Sequence, residues 1–277
     1  MAHFRVSFVG GGCYPLGRMI HPTAVIHPQA QVDPTATVGP YAVIEAHVIL
    51  GPQCKVGPYV HLTGHTTIGA GNRFHAGAVI GDAPQDLKYA GAPTRLRIGG
   101  GNVFREHVTV HRASKADEET VIGAENFFMA HSHVGHNSVI GNRVVMANGA
   151  TLGGYATIQD RAFLSGNCLV HQFVRVGTLA LMQGGAAISK DLPPFTVAWG
   201  DNAICGLNVV GLRRAGFTPD ERLELKRLYR FLFLSGRNLR VALAAAREQF
   251  ASEVGRTLLD FLAASRRGVC VHAGREE

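Results

Sequence analysis

The sequence predicts a left-handed parallel β-helix followed by a small C-terminal α-helical domain, and three observations support this fold class. Apolar residues recur at every sixth position over most of the first 190 residues, a period that neither an α-helix nor an ordinary strand produces. Small residues stand two positions before many of them, and glycine often follows directly. From Thr218 onward the apolar spacing becomes helical. In hexapeptide solenoids each hexad forms one short strand, and three hexads form one triangular coil.

The hexad register begins at Ile20 and runs to Ile80, resumes from Ile98 to Val110, and continues without interruption from Ile122 to Ile188. Strand side chains alternate between faces, so an apolar residue and the residue two positions before it both point inward. The small residues at these earlier positions fit the narrow corners of a triangular prism. We expect the glycine after the apolar residue to adopt a positive φ at a corner.

The register divides the chain into three parts. Residues 1–18 precede the first hexad, and we predict a disordered extension there rather than a signal peptide. Residues 19–190 are predicted to form the β-helix, with loops at 82–97 and 112–120. Residues 191–277 are predicted to form a connector and the helical domain, because the hexads stop at Asp191.

A capping box marks the first helix of the C-terminal part. Thr218 suits the N-cap, Pro219 the first turn, and Glu221 the third helical position, where its carboxylate can reach back to the cap. Two further amphipathic stretches follow, at roughly 238–250 and 253–266. A helical domain of this kind caps the open end of a solenoid.

The two predicted loops differ in composition. The loop at 82–97 combines Gln85, Lys88 and Tyr89 and is the better candidate for a ligand contact, because loops that leave a solenoid commonly carry function. The loop at 112–120 is dense in charge, and we interpret it as a solvated excursion.

Composition narrows the class of protein. The formal net charge of +7 indicates an acidic partner, but no basic and aromatic surface stripe supports nucleic acid as that partner. No apolar run approaches the ~20 residues of a membrane span, so we expect no stable membrane insertion. The five cysteines form no CxxC pair, and Cys54 and Cys168 fall on inward positions, which predicts a reducing, cytoplasmic location without disulfides or zinc ligands.

One column of polar positions suggests catalysis. Residues 18 apart stack on successive coils, so His136, Gly154 and Gln172 should lie above one another on the outside of the prism. Neutral imidazole is a suitable general base near neutral pH. A glycine without a side chain lets its backbone N–H approach an oxyanion, as acyl transfer requires. The column therefore predicts an acyl-transfer site.

Two alternative hypotheses assign the protein to other functional classes. His131, His133 and His136 could hold zinc between subunits, as in the γ-class carbonic anhydrases, which would make the protein a zinc hydro-lyase. The carboxylate and glutamine pattern expected of that class is not evident. A purely structural or adhesive β-helix is the second alternative, and the specific polar column disfavours it.

Several segments together resemble the UDP-N-acetylglucosamine acyltransferase (LpxA) family. These segments are Gln85–Gly91 with Pro93–Thr94, His133–Asn137, Ala150–Gly154, Val170–Phe173, Asp191–Pro194, Gly206–Asn208 and Gly211–Phe217. The resemblance as a whole runs from about Met19 to the C-terminal helices, nearly the whole chain. In combination they are specific, whereas hexapeptide repeats alone are not.

The resemblance implies transfer of a 3-hydroxyacyl chain from acyl carrier protein to the 3-hydroxyl of UDP-N-acetylglucosamine, the first step of lipid A synthesis. It implies a homotrimer with active sites in the clefts between prisms. It implies no separate cofactor, because the phosphopantetheine-linked acyl chain of acyl carrier protein is the donor substrate. Acyl carrier protein is strongly acidic and therefore suits the positive net charge.

The resemblance also implies residue roles. His136 would be the general base, and the amide of Gly154 would stabilise the oxyanion. The implied binding residues are Asp86, Lys88 and His133 for the sugar and acyl groups, His171, Gln172, Asn208 and Arg214 for the nucleotide and diphosphate, and Gly184 as the acyl-chain ruler, where glycine favours a longer chain.

The chain departs from the family pattern at several positions. Asn137 stands where an Asp often supports the catalytic His, Tyr155 replaces a usual His, Val210 a usual Glu, and Ala215 a second Arg. The base and the oxyanion donor are retained. The departures leave open a paralogous acyltransferase that uses a different UDP-sugar, such as a 3-amino sugar.

Overall fold

The computed structural model describes residues 19–272, so the prediction for residues 1–18 lies outside the described part of the chain. Short parallel strands wind into a left-handed β-helix with three sheets, and four helices follow. The first sheet contains Val25–Ile26, Val43–Ile44, His61–Leu62, Val79–Asp82, Thr109–His111, His133–Val134, Thr151–Leu152, Leu169–Val170 and Ala187–Ile188.

The other two sheets complete the triangular section. The second contains Gln31–Val32, Ile49–Leu50, His65–Ile68, Arg95–Ile98, Glu119–Ile122, Val139–Ile140, Thr157–Ile158 and Arg175–Val176. The third contains Thr37–Val38, Lys55–Val56, Arg73–Phe74, Val103–Phe104, Phe127–Phe128, Val145–Met146, Phe163–Leu164 and Leu181–Met182, and it continues through Thr196–Trp199, Ala203–Leu207 and Val271–His272.

The predicted hexad register is confirmed. Val134 pairs with Leu152, and Leu152 pairs with Val170, so residues 18 apart stack in uninterrupted coils. These apolar side chains are buried in the prism, as is the small residue Ala150 two positions before Leu152. Inward positions from successive coils thus form one continuous hydrophobic core.

The predicted role of the glycines is wrong. Most glycines that follow an apolar residue do not adopt a positive φ; instead, a Cβ there would collide with the next coil. A Cβ on Gly135 would lie 2.7 Å from the carbonyl oxygen of Leu152. Positive φ occurs two residues later, often without glycine, as at Asn137, Tyr155 and Phe173, with φ of 60°, 59° and 64°. These glycines therefore allow close stacking of coils, and the turn falls on another position.

The two interruptions are shorter than predicted, at 83–94 and 112–118, because residues at both ends of the first and at the end of the second belong to strands. Arg95 pairs with His65 on one side and with Glu119 on the other, so Arg95–Arg97 and Glu119–Thr120 extend the second sheet. Ladder pairing satisfies the backbone groups of these residues, which sequence periodicity alone assigned to loops. Both loops leave the prism after strands of the first sheet.

The β-structure extends beyond residue 190, where the sequence predicted only a connector and helices. Thr196–Trp199 pairs parallel with Leu181–Met182, and Ala203–Leu207 pairs antiparallel with Thr196–Trp199. These strands lie outside the six-residue period, so the periodicity could not reveal them. They add to the third sheet where the helical domain joins the prism.

The helices are α1 (Val209–Arg214), α2 (Pro219–Phe233), α3 (Leu239–Gln249) and α4 (Glu253–Ala263). The predicted capping box is present: Thr218 accepts from the backbone of Glu221, and the Glu221 carboxylate accepts from the Thr218 amide. Leu225, Leu228 and Leu258 are fully buried in a separate helical core. No helix within residues 19–272 is long and apolar enough to cross a membrane.

Candidate active site

A cleft of about 740 Å³ opens along the outside of the first sheet and the corner that follows it. Its lining residues come from the first loop, from successive coils, and from the turn between the two strands beyond the hexads: Gln85, His111, His133, Gly135, His136, Thr151, Leu152, Gly153, Gly154, Leu169, Val170, His171, Gln172, Ala187, Ile188, Ser189, Asp201 and Asn202. The cleft brings together five of the residues predicted from sequence: His133, His136, Gly154, His171 and Gln172.

The predicted column is present. His136 lies directly over Gly154, so that a Cβ at residue 154 would lie 2.5 Å from His136 Nε2. The Tyr155 amide donates to the His136 carbonyl at 2.8 Å, and the Phe173 amide donates to the Gly154 carbonyl at 3.0 Å. Coil stacking therefore brings the imidazole and the glycine backbone together without any long-range loop.

Hydrogen bonding sets the tautomer of His136. Its Nδ1 lies 2.8 Å from Oδ1 of Asn137. That oxygen also accepts from the backbone N–H of Ser114 at 2.9 Å, so it is the acceptor end of the amide. Nδ1 therefore carries the proton, and Nε2 keeps its lone pair on the side of Gly154. A neutral imidazole held this way can act as a general base through Nε2.

The Gly154 amide is available to a ligand. Within residues 19–272 it donates no hydrogen bond to another group of the protein, whereas the neighbouring Gly153 amide donates to the Val170 carbonyl at 2.8 Å. A free backbone N–H beside a general base is the arrangement that stabilises an oxyanion in acyl transfer.

His133 lies on the floor of the cleft, on the strand before His136. Its Nδ1 shares a hydrogen bond of 2.7 Å with the Thr109 hydroxyl, and its ring meets that of His111 edge-on, with centroids 4.8 Å apart. Burial, together with smaller effects of the neighbouring His111 and His136, lowers the pKa of His133 to about 4. His133 therefore stays neutral at neutral pH and offers hydrogen bonds rather than charge.

His111 is a cleft residue that the sequence analysis missed. Its side chain is buried, its Nδ1 has no hydrogen-bond partner in the described residues, and burial lowers its pKa. A signal existed in the register, because Val110, Val134 and Val170 occupy equivalent positions on the first sheet. Counting hexads across the second loop would have placed His111 beside the column of His136, Gly154 and Gln172.

His171 and Gln172 form an exposed wall of the cleft. The His171 Nδ1 lies 3.2 Å from the Gln172 carbonyl and 3.4 Å from a guanidinium nitrogen of Arg267. Arg267 follows α4 and lies 3.3 Å through Nε from the Ser189 carbonyl. The helical domain thus contributes a cation to the edge of the cleft, a contact that periodicity could not predict.

The first loop contributes Gln85 to the cleft lining but not the two neighbours predicted to bind substrate. Asp86 accepts from the Lys88 amide at 3.0 Å in a local turn, and the Lys88 side chain is exposed. Arg112 anchors the loop by donating to the Gly81 carbonyl at 2.9 Å and to the Tyr89 hydroxyl at 3.1 Å. Substrate binding by Asp86 and Lys88 stays a prediction.

Asn208 and Arg214 lie at a different cavity, of about 520 Å³, lined also by Arg143 and Arg161. The Asn208 side chain caps α1 by accepting from the Gly211 amide at 2.9 Å, and it donates to the Leu179 carbonyl at 2.9 Å. Arg214 is exposed. A single chain does not bring these residues to His136, and their nucleotide-binding role stays a prediction.

Gly184 lies in the exposed turn between Leu181–Met182 and Ala187–Ile188 and does not line the cleft. A Cβ at Gly184 would meet only the Gly166 carbonyl, at 3.6 Å. The acyl-ruler role therefore stays a prediction, and the backbone leaves room for a side chain that would test it.

The three histidines of the zinc hypothesis do not line one site within a single chain. His131 stacks on His107, with ring centroids 5.2 Å apart, and does not line the cleft with His133 and His136. In the described part of the chain, no three His, Cys, Asp or Glu side chains converge in a way that could hold a metal ion.

The second loop, interpreted from sequence as a solvated excursion, contacts the site. The Ser114 backbone and hydroxyl both donate to Asn137, and Glu118 accepts from the Asn137 amide nitrogen at 2.6 Å. The signal for this contact was positional: Val110 and Val134 share the first sheet, so the loop after Val110 leaves at the corner that holds His136.

Sequence and structure comparisons agree on the family. The family described as "Udp N-acetylglucosamine O-acyltransferase; Domain 2" matches residues 191–270, and "Bacterial transferase hexapeptide (six repeats)" matches residues 47–82 and 119–154. An acyl-[acyl-carrier-protein]–UDP-N-acetylglucosamine O-acyltransferase of Gloeothece citriformis is 47% identical over 252 residues, which are 91% of each chain. The chain belongs to the UDP-N-acetylglucosamine O-acyltransferase family.

Other members of this family agree with that assignment. The Synechocystis acyl-[acyl-carrier-protein]–UDP-N-acetylglucosamine O-acyltransferase is 48% identical over 221 residues, 79% of this chain and 80% of its own. The structure of the Francisella novicida UDP-N-acetylglucosamine acyltransferase matches with a TM-score of 0.89 at 34% identity, over 93% of this chain and 95% of its own. An Arabidopsis UDP-N-acetylglucosamine acyltransferase matches with a TM-score of 0.80 at 34% identity, over 91% and 99%.

Proposed function

We propose that this protein transfers a 3-hydroxyacyl chain from acyl carrier protein to the 3-hydroxyl of UDP-N-acetylglucosamine, the first step of lipid A synthesis, with His136 as general base. The activity follows from family membership, since relatives that are 47% and 48% identical carry this O-acyltransferase name. The observation that supports the mechanism is the contact of His136 with Gly154: the basic Nε2 and a free backbone N–H face the same cleft.

The chemistry requires one proton acceptor and one oxyanion donor. His136 Nε2 removes the proton of the sugar hydroxyl as its oxygen attacks the thioester carbon. The Gly154 N–H stabilises the oxyanion that forms on the former carbonyl oxygen. The C–S bond then breaks, and the imidazolium returns its proton to the thiolate of the phosphopantetheine arm. The reaction needs no resident cofactor in this scheme, because acyl carrier protein brings the activated acyl chain.

The proposal includes a homotrimer with the cleft at an interface between prisms. Leu87, at the tip of the first loop, has its whole side chain exposed, and Val139, Leu169 and Phe173 are also exposed near the cleft. Exposed apolar residues around a polar site are typical of a surface covered by another chain. A neighbouring prism could also bring Asn208 and Arg214 toward a cleft that they do not reach within one chain.

Charge and cysteine usage suit the proposed partner and compartment. The net charge of +7 favours association with acidic acyl carrier protein through complementary potentials. The proposal places the protein in the cytoplasm, a reducing compartment in which free thiols such as those at positions 54, 168, 205 and 270 persist.

The decisive experiment is a mass-resolved acyl-transfer assay. Purified protein is mixed with UDP-N-acetylglucosamine and a ladder of 3-hydroxyacyl carrier proteins. A UDP-(3-O-acyl)-N-acetylglucosamine product is expected, and His136→Ala should lower turnover by at least ~10². No product with any chain length, but product with a UDP-3-amino-sugar, would replace the proposed acceptor. Activity of His136→Ala within a few-fold of the wild type would exclude His136 as the base.

A further inference from the structure

The second loop connects a carboxylate to the general base through one amide. Glu118 Oε2 accepts from Nδ2 of Asn137 at 2.6 Å and from the Tyr155 hydroxyl at 2.8 Å. Asn137 Oδ1 accepts from His136 Nδ1 at 2.8 Å. A continuous hydrogen-bonded chain therefore runs from Glu118 through Asn137 to His136.

The direction of the Asn137 amide depends on this carboxylate. Both the backbone N–H and the hydroxyl of Ser114 donate to Oδ1, at 2.9 and 3.1 Å, which leaves Nδ2 on the opposite side. Asn137 is only 7% exposed, so Nδ2 needs a protein acceptor, and Glu118 is that acceptor. Without the carboxylate, one end of a buried amide would be unsatisfied, and the orientation that fixes His136 would be weaker.

We propose that Glu118 is a positioning residue for His136, which it orients through Asn137 and whose imidazolium it stabilises by charge during the proposed reaction. The inference rests on the proposed function. Asn137 accepts a hydrogen bond from the imidazole N–H but carries no charge. Glu118 supplies the negative charge, and it is separated from His136 by one further hydrogen bond. Tyr155 holds the carboxylate from a second side and also contacts the His136 ring edge-on, with centroids 5.5 Å apart.

Apart from Glu118 and one further carboxylate, the charged and titratable groups around His136 oppose protonation of the histidine cluster. Lys115 lies 3.8 Å from Oε1 of Glu118 and above the Tyr155 ring. His133 and His111 lie close enough to His136 for their charges to oppose one another, and Arg112 acts on His111 in the same sense.

The exception is Asp82, whose negative charge favours protonation of His111. Glu118 is the carboxylate hydrogen-bonded into the Asn137–His136 chain. Removing its negative charge should therefore destabilise the imidazolium and lower the pKa of His136.

The first test is Glu118→Gln, with the pKa of His136 measured by NMR titration of its ring nitrogens and assigned by comparison with His136→Gln. The pKa should fall by about half a unit or more. Turnover should fall ~10-fold, which is less than the loss expected when His136 itself is removed. KM for both substrates should stay unchanged.

Glu119→Gln is the matched control, because the adjacent Glu119 pairs instead with Arg95 and Arg97, at 3.3 and 3.1 Å. It should change neither the His136 pKa nor turnover.

The second test moves the carboxylate. Asn137→Asp alone places two carboxylates in hydrogen-bond distance of each other and should lower activity through repulsion. In Asn137→Asp combined with Glu118→Gln, the new carboxylate adjoins His136 directly, and the introduced amide can donate to it. This double variant should be several-fold more active than either single variant.

The outcomes separate this inference from the proposed function. The NMR titration needs no substrate, so an unchanged His136 pKa in Glu118→Gln overturns the inference whatever the enzyme acylates. A loss of turnover without a change in the His136 pKa would show that the Glu118 contact is merely structural, and it would also overturn the inference. A double variant no more active than the single variants would have the same meaning. If the wild type lacked the proposed activity, the pKa of His136 would still decide whether Glu118 acts on it.

Discussion

The imidazole of His136 lies against the α-carbon of Gly154, at a distance that leaves no space for a β-carbon. Coil stacking produces this contact, because the two residues occupy equivalent positions 18 residues apart. The glycine therefore has two effects: it leaves space for the imidazole, and it leaves its own N–H free beside that ring.

Gly154→Ala should therefore reduce turnover by roughly 10² to 10³ without unfolding the protein, because the added methyl group would displace His136 Nε2 from the oxyanion site. Acyl transfer and circular dichroism check this together. Gly166→Ala is the control, since its methyl group would meet only the Asn148 carbonyl, at 3.5 Å. Equal activity of the two variants would contradict the geometry proposed for the site.

His133 should make stability depend on pH. Burial lowers its pKa to about 4 in the folded protein, against about 6.5 in the unfolded chain. Between these values the unfolded state binds more protons, so the free energy of unfolding should decrease as the pH falls from 6.5 to 4. The full loss from this residue is about 3 kcal/mol.

His133→Asn should remove most of this contribution, which denaturant unfolding at pH 7 and pH 4.5 would measure. His27→Asn removes an exposed imidazole and serves as the control. If His133→Asn retained the full wild-type pH dependence, the loss of stability would arise elsewhere, for instance at the neighbouring His111.

Asp191 should hold the helical domain on the prism. This buried carboxylate accepts from the Arg175 guanidinium at 2.7 and 2.9 Å and from the Ser265 hydroxyl at 2.8 Å, and Arg175 donates to the Phe261 carbonyl on α4 at 3.0 Å. Asp191→Ala would leave a partly buried guanidinium unpaired. The cost should be about 3–5 kcal/mol, measured by denaturant unfolding.

The exposed ion pair between Arg247 and Asp260 provides the matched control for this network. Asp260 lies as close to its arginine as Asp191 does, but its side chain is exposed. Asp260→Ala should therefore leave the unfolding midpoint near that of the wild type. Similar midpoints for the Asp191 and Asp260 variants would show that the buried network does not fasten the two parts together.

Gly184 should set the preferred acyl length if the family resemblance extends to this position. A side chain there meets little of the chain itself, so Gly184→Met should fold normally. Competition between carrier proteins that differ in chain length should show a shift to a shorter chain, with a change in the preference ratio of ~10-fold or more. An unchanged length profile would remove Gly184 from the ruler role.

The hexad register predicted the prism, the column of His136 and Gly154, and the buried apolar positions, because strand alternation and coil stacking follow from local spacing. The Thr218 capping box was equally readable, since its partners lie within one turn. The roles of glycine could not be predicted in this way. Positive φ occurs at Asn137 and Tyr155, and Gly135 is needed for close contact with a coil 18 residues away.

The sequence by itself therefore determined the solenoid, its repeat and the stacking of His136 on Gly154, all of which depend on contacts at a constant spacing. Only the tertiary structure decided which side chains the loops bring to that pair. Glu118 reaches Asn137 and Tyr155 across 19 and 37 residues, distances that no period encodes. Packing and hydrogen-bond satisfaction in three dimensions decide the contacts of the aperiodic loops and of the C-terminal tail. For that reason the hydrogen-bond network around His136 could not be predicted from spacing.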